Sequence, residues 1–206
     1  EGVESVTFNG IMAINDGVPN DPYFRTSGSW GQDYEDLWGL RRSGILDAWE
    51  ITTGNADLVF AVVDTGIAND HPDIASRMWR NPNEVAGNGL DDDRNGYIDD
   101  VFGVNTIDGS GNSYDGHGHG THVSGTIGAA TNNGIGVAGI NQLGSLMAVK
   151  VLSDSGSGSW QSVATGIIYA ADNGADVMNM SLGGRSNGQR TIVDDAIDYA
   201  VEHGVI

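Results

Sequence analysis

The sequence has 206 residues, 39% of them apolar, which suits a single domain with one sizeable core, and no apolar run is long enough to cross a bilayer. Nine basic against 28 acidic side chains leave a formal charge of −19, which repels duplex nucleic acid and anionic membranes and favours solubility and cation binding. With no cysteine, neither a disulfide framework nor a thiolate metal site is available.

The chain starts without methionine and without a basic-then-apolar signal segment, so its numbering is expected to begin inside a longer translation product or after processing. Residues 2–11 have the spacing of an edge strand, and the turn formers of residues 15–22 read as a linker. Residues 23–38 mix glycine, serine and aromatics without period, and a short helix follows over residues 45–50. The continuous apolar run 58–63 suits a strand buried on both faces of a parallel sheet, with Asp64 at its carboxyl end. After a long polar connection, residues 119–130 are rich in small side chains and predict a helix lying close to the sheet. Strands are then expected at 146–152 and 176–180, and helices at 160–172 and from 192 to the stop at Gly204. This alternation predicts an α/β fold with three layers and a doubly wound, mostly parallel sheet. Val205 and Ile206 read as the start of another buried strand, so the domain is expected to be truncated after its last helix.

Three of the five histidines, His117, His119 and His122, lie with Asp115 in eight residues interleaved with glycine. A histidine at a helix start is kept neutral by the positive end of the helix dipole, and a carboxylate can orient its ring. His119 as base and Asp64 as its orienter make chemical sense, although an aspartate after a buried strand is also an ordinary cap or turn former. The same cluster resembles the His-x-His-x-Asp-His site of metallo-β-lactamase-type zinc hydrolases, but Thr121 stands where the second metal's aspartate belongs and only His203 follows. Residues 91–100 hold five aspartates in ten positions and resemble the first nine positions of an EF-hand loop. Calcium is expected there, on Asp91, Asp93, Asn95, the Tyr97 carbonyl and Asp99, with Phe102 in place of the closing glutamate. A solvated acidic turn is the alternative.

Three motifs, Val62-Val63-Asp64-Thr65-Gly66-Ile67 with His71-Pro72-Asp73 after it, His119-Gly120-Thr121-His122-Val123-Ser124-Gly125-Thr126, and Asn179-Met180-Ser181-Leu182-Gly183-Gly184, resemble in order the subtilisin-like serine proteases (subtilases) of the thermitase type. The resemblance implies a secreted, calcium-stabilised endopeptidase acting on polypeptides, with Asp64 as triad aspartate, His119 as general base and His122 in a structural role. It implies that Gly156, Ser157 and Gly158, with Ser181, Leu182 and Gly183, form edges that pair with a substrate backbone, for which the small side chains around Gly156 suit strand addition. It also implies a second Ca2+ site at Asp21, Asp73 and Asn133 with carbonyls of Thr131, Ile135 and Val137. Residues 1–18 resemble the tail of an inhibitory propeptide plus linker, cut between about residues 11 and 21, and 19–206 the N-terminal part of the peptidase domain. The Gly-Thr-Ser-Met-Ala run that carries the family's nucleophile is absent between Glu1 and Ile206, as is the oxyanion asparagine. Residues 184–188 match Gly-x-Ser-x-Gly only as a decoy, lacking the strand-turn-helix setting. This chain alone is therefore expected to be inactive. A non-catalytic calcium- or peptide-binding module is the competing expectation.

Overall fold

The computed structural model describes residues 17–185 and 191–206. The edge strand expected at residues 2–11, the first linker residues and the last three residues of the Gly-x-Ser-x-Gly match fall outside that range.

On β1 (Val59–Asp64) and β3 (Ser145–Lys150), successive side chains point to opposite faces. Ala61, Val63, Met147 and Val149 enter one apolar cluster, whereas Val62, Leu146 and Ala148 enter another. Both faces are therefore apolar, which is why the run 58–63 reads as continuous rather than alternating. With β2 (Gly103–Asn105) and β4 (Val177–Asn179) these strands form a parallel sheet in the order β2-β3-β1-β4. The register of β1 on β3 sets Asp64 opposite Lys150.

Helices cover both faces. The first is closed by α5 (Trp160–Asp172) and α6 (Ile192–Glu202), through Val163, Ile167, Ala170, Val193 and Ala196. Capping boxes at Ser159/Ser162 and Thr191/Asp194 start these two helices. The second face is closed by α4 (His119–Gly128), through Val123 and Ile127. This is the expected three-layer α/β arrangement.

Some segments differ from the expectation. Instead of an open linker, Asp21 is fully buried and precedes α1 (Pro22–Arg25), whose first-turn proline has no N–H to satisfy. Residues 23–38 are organised by Asp36, which accepts hydrogen bonds from Thr26, Ser29 and Gln32. Then α2 (Trp38–Arg42) and α3 (Ile45–Ile51) join Phe24 and Ala138 in a third apolar cluster. Strand β2 lies within the stretch expected to be a polar connection; three residues with one large apolar side chain carry no period. Beyond α6, Val205 is buried, and Ile206 donates to Asp176 O at 3.0 Å and accepts from Met178 N at 2.8 Å, the bonding of a parallel pairing beside β4.

Candidate active site

Asp64 ends β1 fully buried, and its Oδ1 lies 2.7 Å from His119 Nδ1, whose side chain is 44% exposed. The same Oδ1 accepts the Thr65 N–H at 2.7 Å. A carboxylate at Nδ1 places the ring proton there and leaves the Nε2 lone pair for another group, the arrangement of a base and its orienter. The glycine after His119 explains how the two meet: a Cβ at Gly120 would lie 2.2 Å from Gly66 O and 3.2 Å from Asp64 Cβ. Only a residue without a side chain lets α4 lie this close to the end of β1. Gly66 in turn has φ +103 and would press a Cβ to 2.4 Å from Ser113 O.

A cleft of about 930 Å³ opens beside His119. It brings together Gly156, Ser157 and Gly158 on one side and Ser181, Leu182 and Gly183 on the other, the six residues singled out for a substrate backbone. Leu152, Trp160, Val163, Met180, Val193 and Ile197 line it as well. These apolar walls went unnoticed in the sequence because helical and strand periodicity assigns the same residues to the core. His117, unassigned from the sequence, also lines the cleft, its ring 6.3 Å from that of His119 and beside Gly156. His122 lies further along α4 and is exposed. Among the described residues the three histidines form no cluster of metal-ligating atoms, and His119 Nδ1 is committed to Asp64, so the zinc arrangement has no geometric support.

A family model described as the subtilase family matches residues 55–206. The chain belongs to the subtilase family. It is 35% identical over 189 residues to thermitase of Thermoactinomyces vulgaris, covering 92% of this chain and 56% of thermitase. It is 36% identical over 169 residues to the halolysin-like extracellular serine protease Nep of Natrialba magadii, covering 81% of this chain and 26% of that protein. A crystal structure of a cold adapted subtilisin-like serine proteinase superposes with a TM-score of 0.52 at 34% identity, covering 74% of this chain and 45% of the other. The chain thus spans about half or less of the length of these relatives.

In this subtilase the acidic loop is arranged differently from an EF-hand. Its alternate positions Asp91, Asp93, Asn95, Tyr97 and Asp99 are half-buried, with exposed residues between them and buried Asp100 after the last. Asp91 accepts from the N–H groups of Asn95 and Gly96, and Asn95 Oδ1 from Tyr97 N. Asp99, however, is turned onto the N–H groups of Gly87, Asn88 and Gly89. The carboxylates that converge are Glu84, Asp93 and Asp100, with ligand atoms within 4.8 Å of one another. Asn81 and Asn95 donate to both Asp93 and Asp100, and Tyr169 donates its hydroxyl to Asp100. Burial and then that bond push the Tyr169 hydroxyl far above the usual tyrosine range. Glu84 Oε2 is buried with no hydrogen-bond partner among the described residues. An all-oxygen donor set with one orphaned carboxylate oxygen fits a hard cation such as calcium.

At the second expected calcium site, Asp21 is fully buried and its Oδ1 also lacks a partner among the described residues, while Oδ2 accepts Asn132 N at 2.8 Å. Asp73 is buried and accepts from Asn133 Nδ2 and Val137 N, both at 2.8 Å. No backbone N–H of a described residue donates to the Thr131, Ile135 or Val137 carbonyls. The Asp21 oxygen and these carbonyls, without a backbone donor among the described residues, fit the same kind of cation.

Proposed function

We propose that the chain supplies the general base, its orienting carboxylate and most of the substrate cleft of a calcium-stabilised, extracellular serine endopeptidase. The observation that carries this reading is the 2.7 Å contact between buried Asp64 and His119 at the mouth of a cleft lined by two backbone-rich edges. His119 Nε2 would take the proton of a serine hydroxyl as that oxygen attacks a peptide carbonyl, and Asp64 would stabilise the resulting imidazolium. The attacking serine is not within Glu1–Ile206 in the family's motif, so it would come from elsewhere in the full-length protein. An extended peptide would add to the edges at Gly156, Ser157, Gly158 and Ser181, Leu182, Gly183 through main-chain hydrogen bonds. Calcium would be held at Glu84, Asp93 and Asp100, with Asp91 and Asn95 nearby, and at Asp21, Asp73 and Asn133. It would supply stability only, by cancelling repulsion among carboxylates. The name of the Natrialba relative supports an extracellular location, and residues 1–18 resemble a propeptide tail that would act as inhibitor and chaperone. The test is reaction of the purified full-length protein with a fluorophosphonate, followed by peptide mapping. Labelling of one serine together with loss of peptide hydrolysis is expected, whereas hydrolysis that survives complete labelling would overturn the reading and an unlabelled, peptide-binding protein would favour the non-catalytic module.

A further inference from the structure

The turn that leads into His119 is enclosed by polar contacts that neither the dyad nor the cleft uses. The N-cap residue of α4 is Gly118, which has no side chain to cap with. Asp115, buried three residues earlier, takes over that task from outside the helix. Its Oδ1 accepts the N–H groups of His117 and Gly118, each at 2.9 Å, and its Oδ2 accepts Thr121 N at 2.9 Å and Thr121 Oγ1 at 2.6 Å. A fifth donor, Thr65 Oγ1, reaches Oδ1 at 2.9 Å and itself accepts Gly120 N at 2.9 Å. Thr65 thereby has every polar atom committed, because its N–H holds Asp64 Oδ1 and its carbonyl accepts Lys150 Nζ at 2.6 Å.

Lys150 is the only lysine in the sequence and is buried. Its ammonium also donates to Asp154 Oδ1 at 2.7 Å. Asp154 in turn packs against Gly116, at which a Cβ would lie 2.3 Å from the Asp154 carboxylate. Gly116 follows Asp115 in the chain, so the contacts close a ring: Thr65 to Asp115, Gly116 to Asp154, Asp154 to Lys150, and Lys150 back to Thr65. One buried cation thus holds a carboxylate and a carbonyl, those of Asp154 and Thr65, that flank the residues before His119.

We propose that Asp115, Thr65, Lys150 and Asp154 form a positioning ring that fixes His119 against Asp64 and ties the base to the segment that opens the Gly156 edge. Asp154 precedes that edge by two residues, so the ring joins the element that would hold substrate to the element that would move the proton. These are positioning residues: they act through the backbone on either side of His119 and not on the reacting atoms. Burial works to raise the Asp115 carboxyl, but the bonds from Thr121, Gly118 and His117 outweigh it and hold the group below its ordinary value, as expected of a permanent anion facing fixed donors.

The inference rests on the Asp64–His119 dyad, and proton NMR of the full-length, 15N-histidine-labelled protein separates the two. The wild-type protein is expected to show a slowly exchanging His119 Nδ1–H; its absence would contradict the dyad itself. With that signal present, Asp115→Asn is expected to speed its exchange about tenfold or erase it, the scale of losing hydrogen bonds to a charged group. Asp154→Ala, at a side chain 65% exposed, is expected to speed it by a smaller factor. The Ala129 amide, bonded to Gly125 O at the far end of α4, should be unchanged in both. Exchange at His119 as slow as wild type in Asp154→Ala, or acceleration matched at Ala129, would overturn the ring, and Asp154→Ala decides the matter even if Asp115→Asn fails to fold.

Discussion

The turn before α4 and the loop over residues 81–100 are both crowded with carboxylates, yet their oxygens meet different partners. Around His119, Asp115 meets five donors and Asp64 two, all within 3.0 Å, and the local helix end favours negative charge. Around Asp100, the carboxylates of Glu84, Asp93 and Asp100 converge on one another, and the amides of Asn81 and Asn95 are the main donors between them. Among the described residues the first arrangement satisfies its carboxylate oxygens without any added ion, apart from the one Asp64 oxygen that lacks a partner there. The second keeps like charges close and leaves a Glu84 oxygen unpaired, which a cation would correct. Carboxylate density alone therefore says little about a site's purpose; what the oxygens face decides it.

That contrast can be broken from either side. The largest effect is expected at Asp64: in the full-length protein Asp64→Asn keeps the shape but reverses the preferred ring tautomer, and steady-state peptide hydrolysis should fall by about 10⁴ in kcat. Next comes calcium. A site saturated to about 100 times its dissociation constant contributes about 2.7 kcal/mol, so chelation should lower the melting temperature, and Glu84→Gln should shrink that difference while leaving the Asp64–His119 contact intact. A melting temperature indifferent to chelation would contradict both calcium sites. Gly120→Ala should cost about 1–3 kcal/mol through overpacking against Gly66, measured by denaturant unfolding, and should separate His119 from Asp64.

The smallest effect is acid dependence at Asp115. Its carboxyl is held below the ordinary value, so its contribution is present above the ordinary carboxylate range and is lost as pH falls through the lower, folded value. Amide exchange over residues 117–121 should accelerate in acid before that of β1 does, and Asp115→Asn should remove the difference.

Much of this was legible in the sequence where period and charge are strong. The run 58–63, the small-residue helix after His119 and the helix at Trp160–Asp172 emerge where their patterns place them. Strand β2 was not legible, since a three-residue strand gets its place from β3 and not from its own pattern. Asp64 and His119 were readable as chemistry, but the reason they meet, a glycine that admits the Gly66 carbonyl, is a property of the packed pair. In the acidic loop, alternation correctly marked the half-buried positions, yet it could not tell that Asp99 caps a neighbouring turn while Glu84 and Asp100, outside the alternating set, converge with Asp93.

The most direct test of the central claim is the rate at which a fluorophosphonate labels the full-length protein, compared between His119→Ala and His122→Ala. General-base assistance contributes about 10²–10⁴-fold, so the His119 variant should label slower by that factor while the His122 variant, three residues along the same helix, stays near the unsubstituted rate. Equal rates in the two variants would contradict the assignment of His119 as the base.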